Sequence, residues 1–202
     1  MSCLLLDGAL PTTLGGVPIL TNYRNMIRFE LLLDDESVPD DLKVPLGLRL
    51  LFGDTIPSSG PQEAMHDLIW YYLRGKGSIN EIAKDKDAGT GVRVCAHAVD
   101  ADAIYASFLQ AYHIDLLHTN MHWWVYAALL EQLPDTTPMG RIMQLRSMDL
   151  SSIKNKEQRA FYAKLKKQVA LPRRSGKPRS AETLAERAIR RLAEEGGQAH
   201  GV

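Results

Sequence analysis

Met121-His122-Trp123-Trp124-Val125-Tyr126-Ala127-Ala128-Leu129-Leu130 is the stretch from which the fold is read. It carries no acidic residue, lysine or arginine, and a helix drawn through it is apolar on every side rather than along one stripe. Such a helix needs cover on several sides, from its own chain or from a partner. It therefore marks the centre of a mainly helical fold. The run is far shorter than the ~20 apolar residues that span a bilayer, and Leu133-Pro134 closes it, so no membrane segment is expected.

Downstream, Pro138 suits the first position of a helix running through Ile142, Met143 and Leu145. A longer helix is predicted over 154–171. It sets Phe161, Tyr162, Leu165 and Val169 against a basic outer face of Lys156, Lys164, Lys166 and Lys167. Pro172-Arg173-Arg174-Ser175-Gly176-Lys177-Pro178 is a linker by composition, and Leu184, Ala188, Ile189 and Leu192 outline a last short helix.

Upstream, Asp100 is placed to cap a helix bearing Ile104, Tyr105, Phe108, Leu109 and Tyr112. Residues 92–98 alternate with period two and predict a strand, and the glycine-rich, charged run over 76–91 predicts a mobile loop. Pro61 opens a helix with Ala64, Met65, Leu68, Ile69 and Tyr72 inward and Gly75 beyond its end. Leu42, Leu46, Leu50 and Leu51 outline another. Pro45 would cost it about 3 kcal/mol in its interior, which predicts a start near Val44 or a kink. Thr21 or Asn22 caps a helix carrying Tyr23, Met26, Ile27, Leu31 and Leu32, with Asp34-Asp35 at its exit. At the beginning, Gly15-Gly16 accepts positive φ between two short apolar runs, a hairpin signature. The expected class is mainly α (α+β): one helical domain over residues 1–171 with a small antiparallel N-terminal hairpin and one further strand near 92–98. A basic linker and short helix follow over 172–202.

The 202 residues carry 24 basic and 24 acidic side chains, but unevenly. Residues 1–100 hold 9 basic and 14 acidic, and residues 101–202 hold 15 and 10. A basic end is a footprint for an acidic protein surface or for nucleic acid. The opening residues lack a basic region before their short apolar run, so no secretory leader is expected, and Cys3 and Cys95 make no disulfide framework.

Catalytic chemistry finds little support. His118 and His122 stand four apart and would share a helix face, as zinc ligands can, but the residues between them are Thr-Asn-Met and supply no glutamate base. Arg74-Gly75-Lys76-Gly77-Ser78 has the wrong glycine order for a phosphate loop, and no G-x-S-x-G elbow occurs. Asp34-Asp35-Glu36 and Asp40-Asp41 read as charges at a helix exit and a helix entry. No catalytic, cofactor-binding or metal-ligating residue is assigned, and no enzyme is expected. Trp123-Trp124 could stack on bases, yet the basic residues lie elsewhere in the chain, which favours packing over nucleic-acid binding.

Asp100-Ala-Asp-Ala-Ile-Tyr-Ala-Ser-Phe-Leu-Gln-Ala-Tyr-His-Ile-Asp-Leu, then Met121-His-Trp-Trp and Ala127-Ala-Leu-Leu, resembles the bacteriophage gene-product-fifteen family. Asn22-Tyr-Arg-Asn-Met-Ile-Arg-Phe-Glu, Arg141-Ile-Met-Gln-Leu-Arg-Ser-Met-Asp-Leu-Ser and Lys154-Asn-Lys-Glu-Gln-Arg-Ala-Phe-Tyr fit the same resemblance in the same order. Pro45 departs from the family's plain helix, and the part beyond Pro172 inherits nothing from it. The resemblance implies a non-enzymatic protein of the host bacterial cytoplasm, encoded in the tail module of long-tailed phages or prophages. It further implies a tail assembly chaperone whose partners are the tape-measure protein and the major tail protein; self-association is a separate expectation.

The expected partner-binding residues are Trp123, Trp124 and Tyr126 on the edges of the central helix, and Lys164, Lys166, Lys167, Arg173 and Arg174 on the basic segment. Two alternatives from other classes stand beside this reading. One is a structural component of the mature tail; the other, less favoured, is a basic nucleic-acid-binding protein.

Overall fold

The computed structural model describes residues 10–55, 57–76 and 93–172. The expected loop over 76–91, but for Lys76, falls outside those residues, as do the basic linker beyond Pro172 and the last helix. The described chain is mainly helical with one two-stranded antiparallel sheet. The described residues cluster into two compact units. The first comprises the described residues up to 76 with Met121–Tyr126; the second comprises 93–120 and 127–172.

In the first unit, β1 (Thr13–Leu14) and β2 (Val17–Pro18) pair with Leu14 opposite Val17. Gly15 and Gly16 take φ of 53° and 77°, the two left-handed positions that a tight primed turn requires. Helix α1 (Tyr23–Asp34) starts at Asn22, whose side chain accepts the Arg24 N–H, and buries Tyr23, Met26, Phe29 and Leu33. Leu31, expected inward, is exposed. Helix α2 spans Asp40–Phe52 and so begins four residues before Val44, with Pro45 inside it. Pro45 is exposed, and so is Asp41, whose carbonyl loses a helical donor to the proline; that carbonyl can turn to water.

The buried face of α2 is Lys43, Gly47, Leu48, Leu51 and Phe52, while Leu42 and Leu46 point outward. Gly47 selects that face: a Cβ there would lie 2.9 Å from Phe29 Cε2, so only glycine lets α1 approach this closely. Lys43, only 2% exposed, donates from Nζ to the Leu33 carbonyl at 3.0 Å, satisfying one of the carbonyls left open at the end of α1. Helix α3 (Pro61–Tyr72) starts on Pro61 and buries Ala64, Met65, Leu68, Ile69 and Tyr71. Each fully buried apolar side chain of this core contributes on the order of 1.5–3 kcal/mol.

The second unit begins with an extended segment and α4 (His97–Tyr112). The strand expected near 92–98 is absent among the described residues, where Arg93 to Ala96 are irregular and the helix starts at His97. The polar groups that a ladder would use are engaged by side chains: the Ala96 N–H donates to Asp100, and the Val94 carbonyl accepts from Arg146. Asp100 is thus the fourth residue of α4 and reaches back to its start, rather than standing ahead of it as a cap. Left-handed His113 (φ 56°) ends the helix.

Helix α5 (Trp123–Glu131) is the apolar run from which the fold was read. None of residues 121–130 is fully exposed. Helix α6 (Pro138–Ser147) starts on Thr137, whose hydroxyl oxygen accepts the Gly140 N–H, and it packs on α4. A 3₁₀ turn (Leu150–Ser152) leads to α7 (Lys156–Gln168). No described helix is long and apolar enough to cross a membrane.

Candidate partner-binding site

The tryptophan pair is placed by its own hydrogen-bond requirement. An indole N–H buried without an acceptor is costly, and the end of a helix leaves carbonyls without donors. Trp123 Nε1 donates to the Tyr72 carbonyl at 2.9 Å and Trp124 Nε1 to the Tyr71 carbonyl at 2.8 Å, so the two indoles close the C-terminal turn of α3. Backbone bonds from Tyr23 N to Met121 O and from Trp123 N to Thr21 O fasten the same segment beside the start of α1. Tyr126 stacks on Tyr23 with centroids 4.4 Å apart, and Trp123 stacks on Tyr72 at 5.7 Å.

Trp123, Trp124 and Tyr126 are all buried, Tyr126 to 1% exposure. These three expected partner-binding residues thus lie inside the packing, with both indole N–H groups engaged on α3 carbonyls.

His122 belongs to the same network. Its Nδ1 accepts the Trp124 N–H at 3.1 Å, which leaves the ring proton on Nε2 to be donated to the Pro11 carbonyl at 3.1 Å. The Tyr71 hydroxyl lies 3.3 Å from Nε2 and itself donates to the Thr21 carbonyl. Burial lowers the imidazole pKa, opposed by the bond to Pro11, and burial pushes the Tyr71 hydroxyl well up. His118 is exposed and pairs with Asp115 at 2.7 Å. Because α5 starts only at Trp123, His118 and His122 do not share a helix face, and the metal spacing read from the sequence has no geometric counterpart.

Among the described α-helices α7 stands apart: it buries none of its residues, and it carries five basic side chains against one acidic. Asn155 starts it, its side-chain oxygen accepting the Glu157 and Gln158 N–H groups. Tyr162, Leu165, Lys166 and Val169 are half-buried and form its inner side. Anchorage lies at the C-terminal end: Lys166 Nζ donates to the Met148 carbonyl at 2.7 Å, and Arg146 Nε donates to the Val169 carbonyl at 2.6 Å. Arg146 is itself fixed by a buried two-pronged pair with Asp100, Nη1 to Oδ2 at 2.6 Å and Nη2 to Oδ1 at 2.9 Å.

What remains outward is a basic strip around Phe161, which is 59% exposed although the periodicity placed it inward. Lys164, one turn along on the same side, is exposed, as is Lys167 farther round the helix. Lys166, grouped with them from the sequence, instead positions the helix, and Arg173 and Arg174 lie outside the described residues. Phe161 was missed because its neighbours Tyr162 and Leu165 cover most of the apolar arc that α7 needs.

A family model described as Bacteriophage Gp15 protein matches residues 15–171. The chain belongs to the Bacteriophage Gp15 protein family. As a Gp15-family protein it is a bacteriophage structural or morphogenesis protein. No curated protein and no solved structure matches it. The Gp15 match takes in the hairpin turn, the indole-closed core and all of α7, and stops before Arg173 and Arg174.

Proposed function

We propose that this protein works in phage tail morphogenesis as a tail assembly chaperone in the bacterial cytoplasm. In this reading it binds apolar helical segments of the tape-measure protein through the outward face of α7 and makes or breaks no covalent bond. The observation that carries the reading is α7 itself: a helix with no buried residue, a 59% exposed phenylalanine and five basic side chains, on a chain of the Gp15 family. An exposed aromatic with Lys164 one turn along it offers an anchor with a charged neighbour, an arrangement suited to a helix-to-helix contact. A single helix face makes a small interface, which suits a client that must later be released to the growing tube.

The test is co-purification of a tagged tape-measure protein with this chain, together with mass spectrometry of finished virions. The reading expects the complex in lysates and the chain's absence from virions. A chain retained stoichiometrically in virions is instead a structural part of the tail.

A further inference from the structure

We infer that the Phe161 face of α7 is taken, in a second copy of this chain, by the acidic elbow between α1 and α2. Residues 34–41 carry Asp35, Glu36 and Asp41 exposed, with Asp34 and Asp40 half-buried and Asp40 Oδ1 3.9 Å from Lys43 Nζ. Immediately beside them Leu42 and Leu46, four apart on α2, are 49% and 43% exposed. The elbow is preformed. Lys43 holds it from beneath through the Leu33 carbonyl, and Asp35 accepts both the backbone N–H and the hydroxyl of Ser37.

Each surface thus presents what the other lacks. One is acidic with two outward leucines, and the other is basic with an outward phenylalanine. Since both occur on every chain, they meet at equal concentration in any solution of the protein. Opposite charge steers the encounter and burial of the apolar groups completes it.

The contact is head-to-tail, because the two faces belong to different elements, so each added copy leaves one face of each kind open. It rests on the same reading of α7 as a docking face, so the second copy and the client compete for that face, and the elbow covers it only while no client is bound. It is nevertheless read on the purified chain alone, so its failure leaves the client reading to be judged separately.

Sedimentation velocity of the full chain tests it with two variants, both altered only at exposed positions and both checked for native helicity. Phe161→Ser with Lys164→Glu removes the α7 face, and Leu42→Ser with Leu46→Ser removes the elbow. The native chain is expected to associate with rising concentration at low salt, and to dissociate in about 1 M salt, where charges act over only about 3 Å. Each variant alone is expected to lose at least tenfold in association constant. Mixing the two is expected to restore one good contact, giving 1:1 pairs and nothing larger. Three results would overturn the inference: a native chain monomeric under all these conditions, an elbow variant that still self-associates, or a mixture that stays monomeric. Should either double variant lose helicity, Asp41→Lys and Lys164→Glu replace them, with weakening singly and recovery on mixing as the required result.

Discussion

Replacing Arg146 with alanine should destabilise the second unit by about 3–5 kcal/mol, because it strands a buried carboxylate. Asp100 is 4% exposed and takes two charged hydrogen bonds from the guanidinium; without them only the Ala96 N–H remains on it. The carbonyls of Val94 and Val169 also lose their donor, at about 1–3 kcal/mol each if water does not reach them. These losses share one side chain and do not add simply, so the lower bound is the safer expectation. With a urea dependence of about 2 kcal/mol per molar, the unfolding midpoint should fall by roughly 1.5–2.5 M. Amide hydrogen exchange should speed up in the last turn of α7, which Arg146 holds through Val169. Arg146→Met combined with Asp100→Asn removes the charge while keeping an acceptor for Ala96, and it should recover at least about 2 kcal/mol of the loss. A cost below about 1 kcal/mol for Arg146→Ala, or strict additivity in the double variant, refutes the reasoning.

Trp124→Phe should cost about 0.5–1.5 kcal/mol, read by thermal unfolding, because it removes one hydrogen bond to the Tyr71 carbonyl, which keeps the Arg74 N–H; any binding through α7 is expected to be unchanged, since the indole is internal. Gly140→Ala should destabilise by about 1–3 kcal/mol or more, since its Cβ would overlap the Pro134 carbonyl; denaturant unfolding checks it. His122 has its pKa lowered by burial, so the unfolded chain takes up a proton first as acid is added. Its contribution to stability is complete above about pH 6.5 and is lost as pH falls below that, with a slope of no more than about 1.4 kcal/mol per pH unit. His122→Asn, whose oxygen can still accept the Trp124 N–H, should flatten that dependence, and equal slopes for the two proteins would contradict it.

Helices were legible wherever local signals agreed. Pro61 marks the entry of α3, and Gly15-Gly16 sets the hairpin turn, because both act through backbone geometry that no distant residue can change. Which face each helix buries was less legible. On α2 the leucines at 42 and 46 compete with Leu48, Leu51 and Phe52, and the choice falls to Gly47, whose importance appears only when Phe29 is packed over it. The alternation at 92–98 looked like a strand because periodicity cannot reveal that Asp100 and Arg146 take up the backbone groups from positions nearby and far along the chain.

The residues expected to bind a partner divide along the same line. A tryptophan pair satisfies its N–H groups on carbonyls fifty residues away, so nothing local betrays that it is internal. The lysines of α7 stand in a segment whose basic face was readable directly. Phe161 became visible only once the depth of the inner side was known.

The most direct measurement is the soluble fraction of the tape-measure protein when it is co-expressed with the native chain or with the Phe161→Ser, Lys164→Glu variant. On the proposed chaperone role, the native chain keeps the tape measure soluble and bound, and the variant, though folded, loses most of this effect. Equal solubility with native chain, variant and no chain at all would contradict it.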